Sequence, residues 1–383
     1  MDFDLSEHDI LRDVTRDFVQ NEVKPLARQI DEQEQIPPEL MHKLKEQGYF
    51  GIPFPEEVGG VGAGEVGYCV VLDEFGRGSA SVAVVLSAHT SIGAMPIYLD
   101  GTKEQKEKYL PDLCTGNKIA AFALTEPGAG SDAAAIATTA VLDGNDYVVN
   151  GSKLYITNGD IADMVTVFAV TDKSLGVRGG ITAFIVEADM PGFSRGPKEK
   201  KMGIRGSGTC ELFFKDMRVP KDNVIGKVGM GFVTAMKTLD VGRLSLGAAC
   251  TGAAKELIDL SIQHASQRVQ FGEPIVRKQA IQWMLAEMAA DTFAMESMVY
   301  RAAWMYDQGK KVTREASIIK MFCSEALDRV VDKAVQIHGG MGYMQDYPVE
   351  MFYRDARINR IFEGTNEVQR MVIGGDLARK GRY

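Results

Sequence analysis

The stretch AVLDGNDYVVNGSKLYITNG, residues 140–159, decides the fold. Its β-branched and aromatic residues stand between two pairs, Asp143-Gly144 and Asn150-Gly151, of the kind that closes tight hairpins. MVTVFAV (164–170), GITAFIVEA (180–188) and TCELFFKDMRVP (209–220) continue the pattern, with Gly, Pro or Asp at their ends. About a hundred residues from Ile119 onward therefore read as β-structure.

On either side of this block the period changes to that of a helix. Upstream, Ile10, Leu11, Val14 and Phe18 share one face of a segment running from Ser6 to about Arg28. Ser6 is its expected cap, with Asp9 three residues on. Pro37 and Pro38 open a second helix that Gly48 ends. A glycine-rich loop (55–67), two apolar helical stretches (68–78 and 82–99) and a charged helix (103–116) follow. Downstream lie three long helical segments, 231–270, 274–308 and 312–337. The expected architecture is α+β, mainly α: an N-terminal helical domain (1–118), a middle β domain (119–230) and a C-terminal helical bundle (231–383).

Composition bounds the function. Of 383 residues, 45% are apolar and 25% charged, the balance of a globular chain that folds without disulfides or metal. The net charge of −9 argues against nucleic acid or an anionic membrane as the main partner. Five cysteines without a C-x-x-C pair indicate a reducing compartment and a cytoplasmic location. The acidic N-terminus does not read as a signal peptide, and no apolar run is seen to approach the roughly 18 residues of a membrane span. The five histidines form no H-x-x-x-H pair, so no metal site is expected.

Several short motifs compete for a functional reading. GAGEVG (62–67) matches G-x-G-x-x-G in form but lies between helices, without the βαβ unit of a dinucleotide fold. HGGMG (338–342) resembles an esterase oxyanion loop, but no G-x-S-x-G elbow accompanies it. LTEPGAGSD (124–132) is more informative. Its glycines let backbone N–H groups approach an anion, and Ser131 adds a hydroxyl. In RIFEGTNEVQR (360–370), an apolar approach ends in a carboxylate, Glu363, immediately before Gly364. A solvated loop carboxylate and a base at the lip of an apolar pocket are the two readings.

With AFALTEPGAGSD, NGSKLYITNG, KMGIRGSGT, RVQFGEPI, QIHGGMGY and RDARINRIFEGTNEVQR in that order, the whole chain resembles the acyl-CoA dehydrogenases. It is most similar to short-chain, butyryl-type members, with some longer-chain features. The resemblance implies FAD, a homotetramer built as a dimer of dimers, an acyl-CoA substrate and transfer of electrons to an electron-transfer flavoprotein. It places Phe122, Leu124 and Thr125 at the flavin pyrimidine edge, Ser131 near the pyrophosphate and coenzyme A, and Thr157 at flavin N5. Tyr155 stands where many members have Trp. Arg268, Phe271, Gln279, Gln336, Gly339 and Gly340 would reach the neighbouring subunit's FAD. Thr365, Asn366 and Glu367 make the return contact, and Asp240, Arg243 and Gly364 meet the substrate. Glu363 is implied to be the catalytic base, with its own N–H as one of two donors to the thioester carbonyl. Some members carry the base at the position of Gly242, which here has no side chain to serve.

This chemistry suits the residues. Removing hydrogen from C2 and C3 of a saturated thioester needs a base for the α-proton and an electron sink for the β-hydride. It also needs donors for the charge that develops on the carbonyl. An apolar surrounding raises a carboxyl toward the working pH. An acyl-CoA oxidase, an enoyl-CoA reductase and a non-catalytic helical scaffold are the alternatives. The end of the chain at LARKGRY favours a dehydrogenase over an oxidase, and the intact Glu363 speaks against a scaffold.

Overall fold

The computed structural model describes residues 6–381. Helix α1 (Asp9–Phe18) follows a 3-10 turn, Ser6–His8, so the position before the α-helix is His8, without a side-chain cap. The chain passes through a π-turn (Val19–Val23) and a 3-10 turn (Lys24–Leu26) into α2 (Ala27–Gln33). Helix α3 (Pro38–Glu46) has Pro38 in its first turn, where the missing N–H costs nothing. Helices α4 (Gly64–Gly78) and α5 (Ala80–Ser87) lead to a second π-turn, Ala88–Ala94, and α6 (Met95–Asp100). The stretch Ala80–Asp100 is long and apolar enough to cross a membrane, contrary to the sequence reading. It is instead a core element, 72% of its apolar window being buried inside the protein. Helix α7 (Lys103–Cys114) opens on a capping box between Thr102 and Gln105.

The middle of the chain forms β1 (Ala120–Ala123), β2 (Thr139–Asp143), β3 (Asp146–Thr157), β4 (Met164–Val170), β5 (Ile181–Glu187), β6 (Phe193–Lys198), β7 (Thr209–Pro220) and β8 (Val224–Ile225). They make one sheet in the order β6-β7-β3-β2-β4-β5-β8, with β1 parallel to β4. Strands β4 and β5 are covered on both faces, which is why they read as continuous apolar runs. Met164 and Phe168 point to a core shared with α6 and α7, while Val165, Val167 and Ala169 point to the core inside the sheet. Asp143-Gly144 does turn, with Asp143 paired to Asp146 and Gly144 at φ +64. Asn150-Gly151 does not. It lies within β3 as a bulge opposite β7, with Gly151 at φ +149. A Cβ there would stand 2.5 Å from Thr138 Oγ1, so the glycine answers a close approach rather than a turn.

Helix α8 (Gly231–Gln267) is followed by the small hairpin β9 (Val269–Gln270) and β10 (Glu273–Pro274), then by α9 (Gln279–Asp307), α10 (Thr313–His338), α11 (Gly340–Tyr343), α12 (Val349–Ala356) and α13 (Asn366–Lys380). Helices α4, α8, α9 and α10 share one core, so the two helical regions are packed as one body. Glycines let α8 and α4 touch backbone to backbone. A Cβ on Gly252 would collide with the Asp73 carbonyl oxygen, and one on Gly76 with that of Ala249. Arg354 of α12 binds Asp31 of α2 through two nitrogens (3.0 and 2.7 Å), and Arg205 binds Glu34 at 2.9 Å. These pairs tie α2, α12 and the loop before β7 together.

Candidate active site

Glu363 lies between a short 3-10 turn (Arg357–Arg360) and α13, in a left-handed backbone conformation (φ +56) followed by Gly364 at φ +85. Two consecutive left-handed residues turn the chain sharply. The first is not glycine and carries a strain of about 1 kcal/mol or more. Three side chains hold this turn. Arg243 Nε donates to the Glu363 carbonyl oxygen (3.2 Å), and Gln369 Nε2 donates to the carbonyls of Glu363 (3.2 Å) and Gly364 (3.0 Å). Thr365 caps α13, its hydroxyl accepting from the Val368 N–H at 3.3 Å. A Cβ on Gly364 would stand 2.7 Å from Gln369 Nε2, so a side chain there would have to displace the amide that holds the turn.

The Glu363 residue is only partly covered, yet its Oε2 is buried and has no hydrogen-bond partner. Burial pushes the carboxyl up to about 7, against the opposing pull of Arg243 and Lys320. The backbone N–H of Glu363 makes no hydrogen bond among the described residues. An unpaired carboxylate oxygen and a free N–H thus belong to the same residue. Gly242 of α8 faces them: a Cβ there would be 2.8 Å from Oε2 and 2.8 Å from Ile92. Arg243 is buried, with Nη1 on Asp240 at 3.2 Å, and Asp240 also accepts from Thr313. Arg243 and Asp240 therefore fix the base, while Arg243 keeps further N–H donors beyond the Nε and Nη1 bonds.

A second group lies on the sheet. Phe122 rests on Phe168 with ring centroids 4.8 Å apart, and Leu124 is buried beside it. The Leu154 N–H donates to the Thr125 carbonyl (2.9 Å), bringing Thr125 next to the end of β3 that carries Tyr155 and Thr157. Tyr155 is exposed and left-handed (φ +57), while Thr157 is half-buried. Ser131 is exposed on the glycine loop, where Cβ atoms on Gly128 or Gly130 would meet nothing within 4 Å. Buried Lys153 anchors this loop by donating to Glu126 (2.7 Å) and to the Leu124 carbonyl (3.1 Å).

Bonds from the π-turn Ala88–Ala94 brace β1 on one side and α8 on the other. His89, in the π-turn, accepts from the Ala120 N–H through Nδ1 and bonds the Leu113 carbonyl through Nε2, both at 2.9 Å. Burial lowers this imidazole to about 4, so it stays neutral and serves as a bracket. Two residues on, Ser91 bonds Ser245 (2.9 Å), and Ser245 donates to the Gly242 carbonyl (2.8 Å).

A third group surrounds an open cavity of about 710 Å³ at the far end of α8, lined by Arg268, Gln270, His264, His338, Gly339 and Gly340 among others. The rings of His264 and His338 stack at 4.4 Å. Gln336 is exposed on the last turn of α10, Gln279 is exposed at the start of α9, and Phe271 projects from the hairpin tip; all three lie outside the cavity lining. Arg268 lies 25 residues beyond Arg243, roughly 37 Å along the helix axis. One chain therefore does not bring this group to its own Glu363. Glu367 is exposed in the first turn of α13. GAGEVG opens α4, and the Glu65 and Val66 N–H groups donate to Asp307 at 2.8 and 2.9 Å. A carboxylate already holds the place where a phosphate would sit.

Sequence reasoning missed Gln369 and Lys320. Both have 0% relative exposure; Gln369 lies inside RIFEGTNEVQR without having been singled out, and Lys320 lies in no quoted motif. A lysine inside the apolar run SIIKMF was the available signal.

The donor set suits an extended dinucleotide: an open glycine loop, a hydroxyl and an aromatic face on the sheet, and, at the far end of α8, a glycine-lined cavity that carries Arg268. The N-terminal, middle and C-terminal domains described for acyl-CoA dehydrogenases match residues 6–117, 121–217 and 229–378. The chain belongs to the acyl-CoA dehydrogenase family. It is 45% identical over 380 residues to the short-chain-specific acyl-CoA dehydrogenase of Clostridium acetobutylicum (99% of this chain, 100% of that one). It is 44% identical over 375 residues to the caffeyl-CoA reductase–Etf complex subunit CarC of Acetobacterium woodii (98% and 99%). A solved acyl-CoA dehydrogenase complexed with FAD from Bacillus anthracis superposes with a TM-score of 0.92 at 43% identity, covering 99% of this chain and 68% of that one.

Proposed function

We propose that this chain is an FAD-dependent dehydrogenase that converts a short- to medium-chain, or branched short-chain, acyl-CoA to the trans-2-enoyl-CoA. Electrons pass to an electron-transfer flavoprotein. The observation that carries the reading is the unpaired, buried Oε2 of Glu363. It is a strong acceptor with nothing to accept until an α-proton is presented, and burial sets it near neutral pH. Arg243 and Gln369 fix the turn that aims it, and the free Glu363 N–H is a donor for the thioester carbonyl. Bound FAD supplies the acceptor for the β-hydride at N5. Phe122, Leu124, Thr125, Ser131, Tyr155 and Thr157 would hold it from one chain, and Arg268, Gln336, Gly339 and Gly340 from a neighbour. Thr365 and Glu367 complete the contact.

The roughly 37 Å between Arg243 of α8 and Arg268 at its C-terminal end supports a shared site and hence an oligomer, which we take to be a homotetramer. Exposed Phe271 (93%), Phe293 (72%) and Trp283 (61%) supply apolar surface for it. Five buried, unpaired cysteines accord with the cytoplasm. The similarity to a caffeyl-CoA reductase subunit supports a second reading, the same site run toward reduction of an enoyl-CoA.

The test is a panel of acyl-CoA esters mixed anaerobically with the purified protein. The protein should be yellow, with about one FAD per chain, and a four- to eight-carbon ester should bleach it. A colourless protein that does not take up FAD would overturn the reading. Bleaching by no saturated ester, with reoxidation of chemically reduced enzyme by an enoyl-CoA, would select the reductase.

A further inference from the structure

Lys320 presents a problem the proposed reaction does not solve. Its side chain, on α10, has no exposed surface, yet among the described residues its ammonium makes one hydrogen bond, to Asn366 Oδ1 at 2.9 Å. An ammonium carries three donors, and burying it costs several kcal/mol unless opposite charge compensates. A leucine or methionine would fill the same helical position without that cost.

Asn366 is the first residue of α13 and a hub. Its amide also donates to Ser324 (3.0 Å), to Glu325 (3.1 Å) and to the Met321 carbonyl (3.3 Å), so it pins the start of α13 onto α10. Glu363 stands three residues earlier, across the left-handed turn. Among the charged groups interacting with Lys320, Glu363 is the foremost, followed by Arg243 of α8 and Glu367 of α13; the nearby Cys250 thiol of α8 is held neutral by burial. The charged groups acting on Glu363 are Arg243 and Lys320. From the π-turn side it meets the apolar Ile92, and from α8 the bare backbone of Gly242. Asp240 neutralises Arg243 in part. Among the described residues Lys320 makes no ion pair, and its hydrogen bond goes to the neutral Asn366 amide.

We propose that Lys320 is a positioning residue for the base: through Asn366 it fixes the turn that carries Glu363, and its ammonium is the second positive charge facing that carboxylate. The inference rests on the reading of Glu363 as the base. Buried beside two cations, the carboxylate is kept ionisable near neutral pH in a site whose low polarity would otherwise hold it protonated. Burial lowers the lysine itself to about 8, so it is charged where the base must work.

Two variants separate charge from position. Lys320→Gln keeps a donor for Asn366 and removes the charge, whereas Lys320→Met removes both. A nearby opposite charge lowers a carboxyl by about 1–3 units, and the lower end is used here because the two groups form no ion pair among the described residues. The pH profile of anaerobic bleaching by butyryl-CoA should then move up by about one unit in Lys320→Gln. That corresponds to a rate loss of about tenfold at pH 6 and about fivefold at pH 7, nearly gone by pH 9. A second readout needs no turnover: the pH at which the fall in the thermal midpoint of the holoenzyme levels off, near 7 in wild type, should rise by the same unit. Lys320→Met should show the same shift together with a loss at every pH. A bleaching profile and melting profile in Lys320→Gln that coincide with wild type would overturn the proposal. Loss of flavin by both variants would overturn it too, since the residue would then serve the fold rather than the base. Glu363→Gln is measured in parallel. If it bleaches like wild type, the base reading fails; if it is dead while Lys320→Gln is unshifted, only the inference about Lys320 fails.

Discussion

Replacing Glu363 by glutamine should make the protein more stable at alkaline pH while removing its activity. The unfolded carboxyl titrates near 4.5, and the folded one near 7. Between these values the folded state retains a proton that the unfolded chain has released, so stability falls as pH rises through that window. The loss is complete above about pH 7. A shift of this size corresponds to about 3 kcal/mol, and partial exposure of the residue together with the Lys320 charge left without its counter-charge reduces what the variant recovers to about 1–2 kcal/mol. Glutamine has nearly the same shape, keeps the backbone bonds to Arg243 and Gln369, and does not ionise. Thermal melting of the holoenzyme at pH 5 and pH 8.5 is the assay. The variant should match wild type at pH 5 and exceed it by a few degrees at pH 8.5. An equal difference at both pH values, or a less stable variant at pH 8.5, would refute the picture of a carboxyl held protonated by burial.

Moving the base is a second test: Glu363→Gly combined with Gly242→Glu should recover part of the bleaching rate lost in Glu363→Gly alone. The Gly242 Cβ position lies 2.8 Å from the carboxylate it would replace. Rescue stays partial, because a misplacement of about 1 Å can cost 10²-fold, and no rescue in a double variant that holds FAD would show that α8 does not face the substrate carbon. Gly364→Ala should slow bleaching by more than tenfold with FAD retained, since its left-handed φ of +85 disfavours a side chain and a methyl would displace the nearby Gln369 amide. A wild-type rate would mean the turn is not needed in its present shape. Arg268→Ala should lower FAD affinity and loosen the oligomer together, by roughly 1.5–3 kcal/mol for a lost charge-assisted contact, read by flavin release and sedimentation; unchanged values would argue against a site shared between copies.

Much of this architecture is local in origin and was visible as such. The change from helical to alternating period near residue 119, and its reversal near 231, follows from side-chain spacing alone. The failures have tertiary causes. Asn150-Gly151 has turn chemistry, but Thr138 packs against the glycine and the strand continues through it as a bulge. The apolar stretch Ala80–Asp100 was read only as helical spacing, with no sign that a π-turn within it brackets β1 to α8 through His89 and Ser91. Glu363 stood out because a carboxylate ended an apolar approach. Its left-handed backbone did not, since nothing in the residue type requests it. Lys320 acquires meaning only once α10 and α13 are laid side by side, and Gln369 only once the left-handed turn folds the Glu363 and Gly364 carbonyls back onto it.

The account's central claim is that Glu363 takes the α-proton. Anaerobic mixing of wild type and Glu363→Gln with saturating butyryl-CoA, after FAD content and ester binding have been matched, tests it most directly. The variant should bleach at least about 10²–10⁴-fold more slowly, while still binding the ester. Bleaching within a few-fold of wild type would contradict the claim and place the base elsewhere.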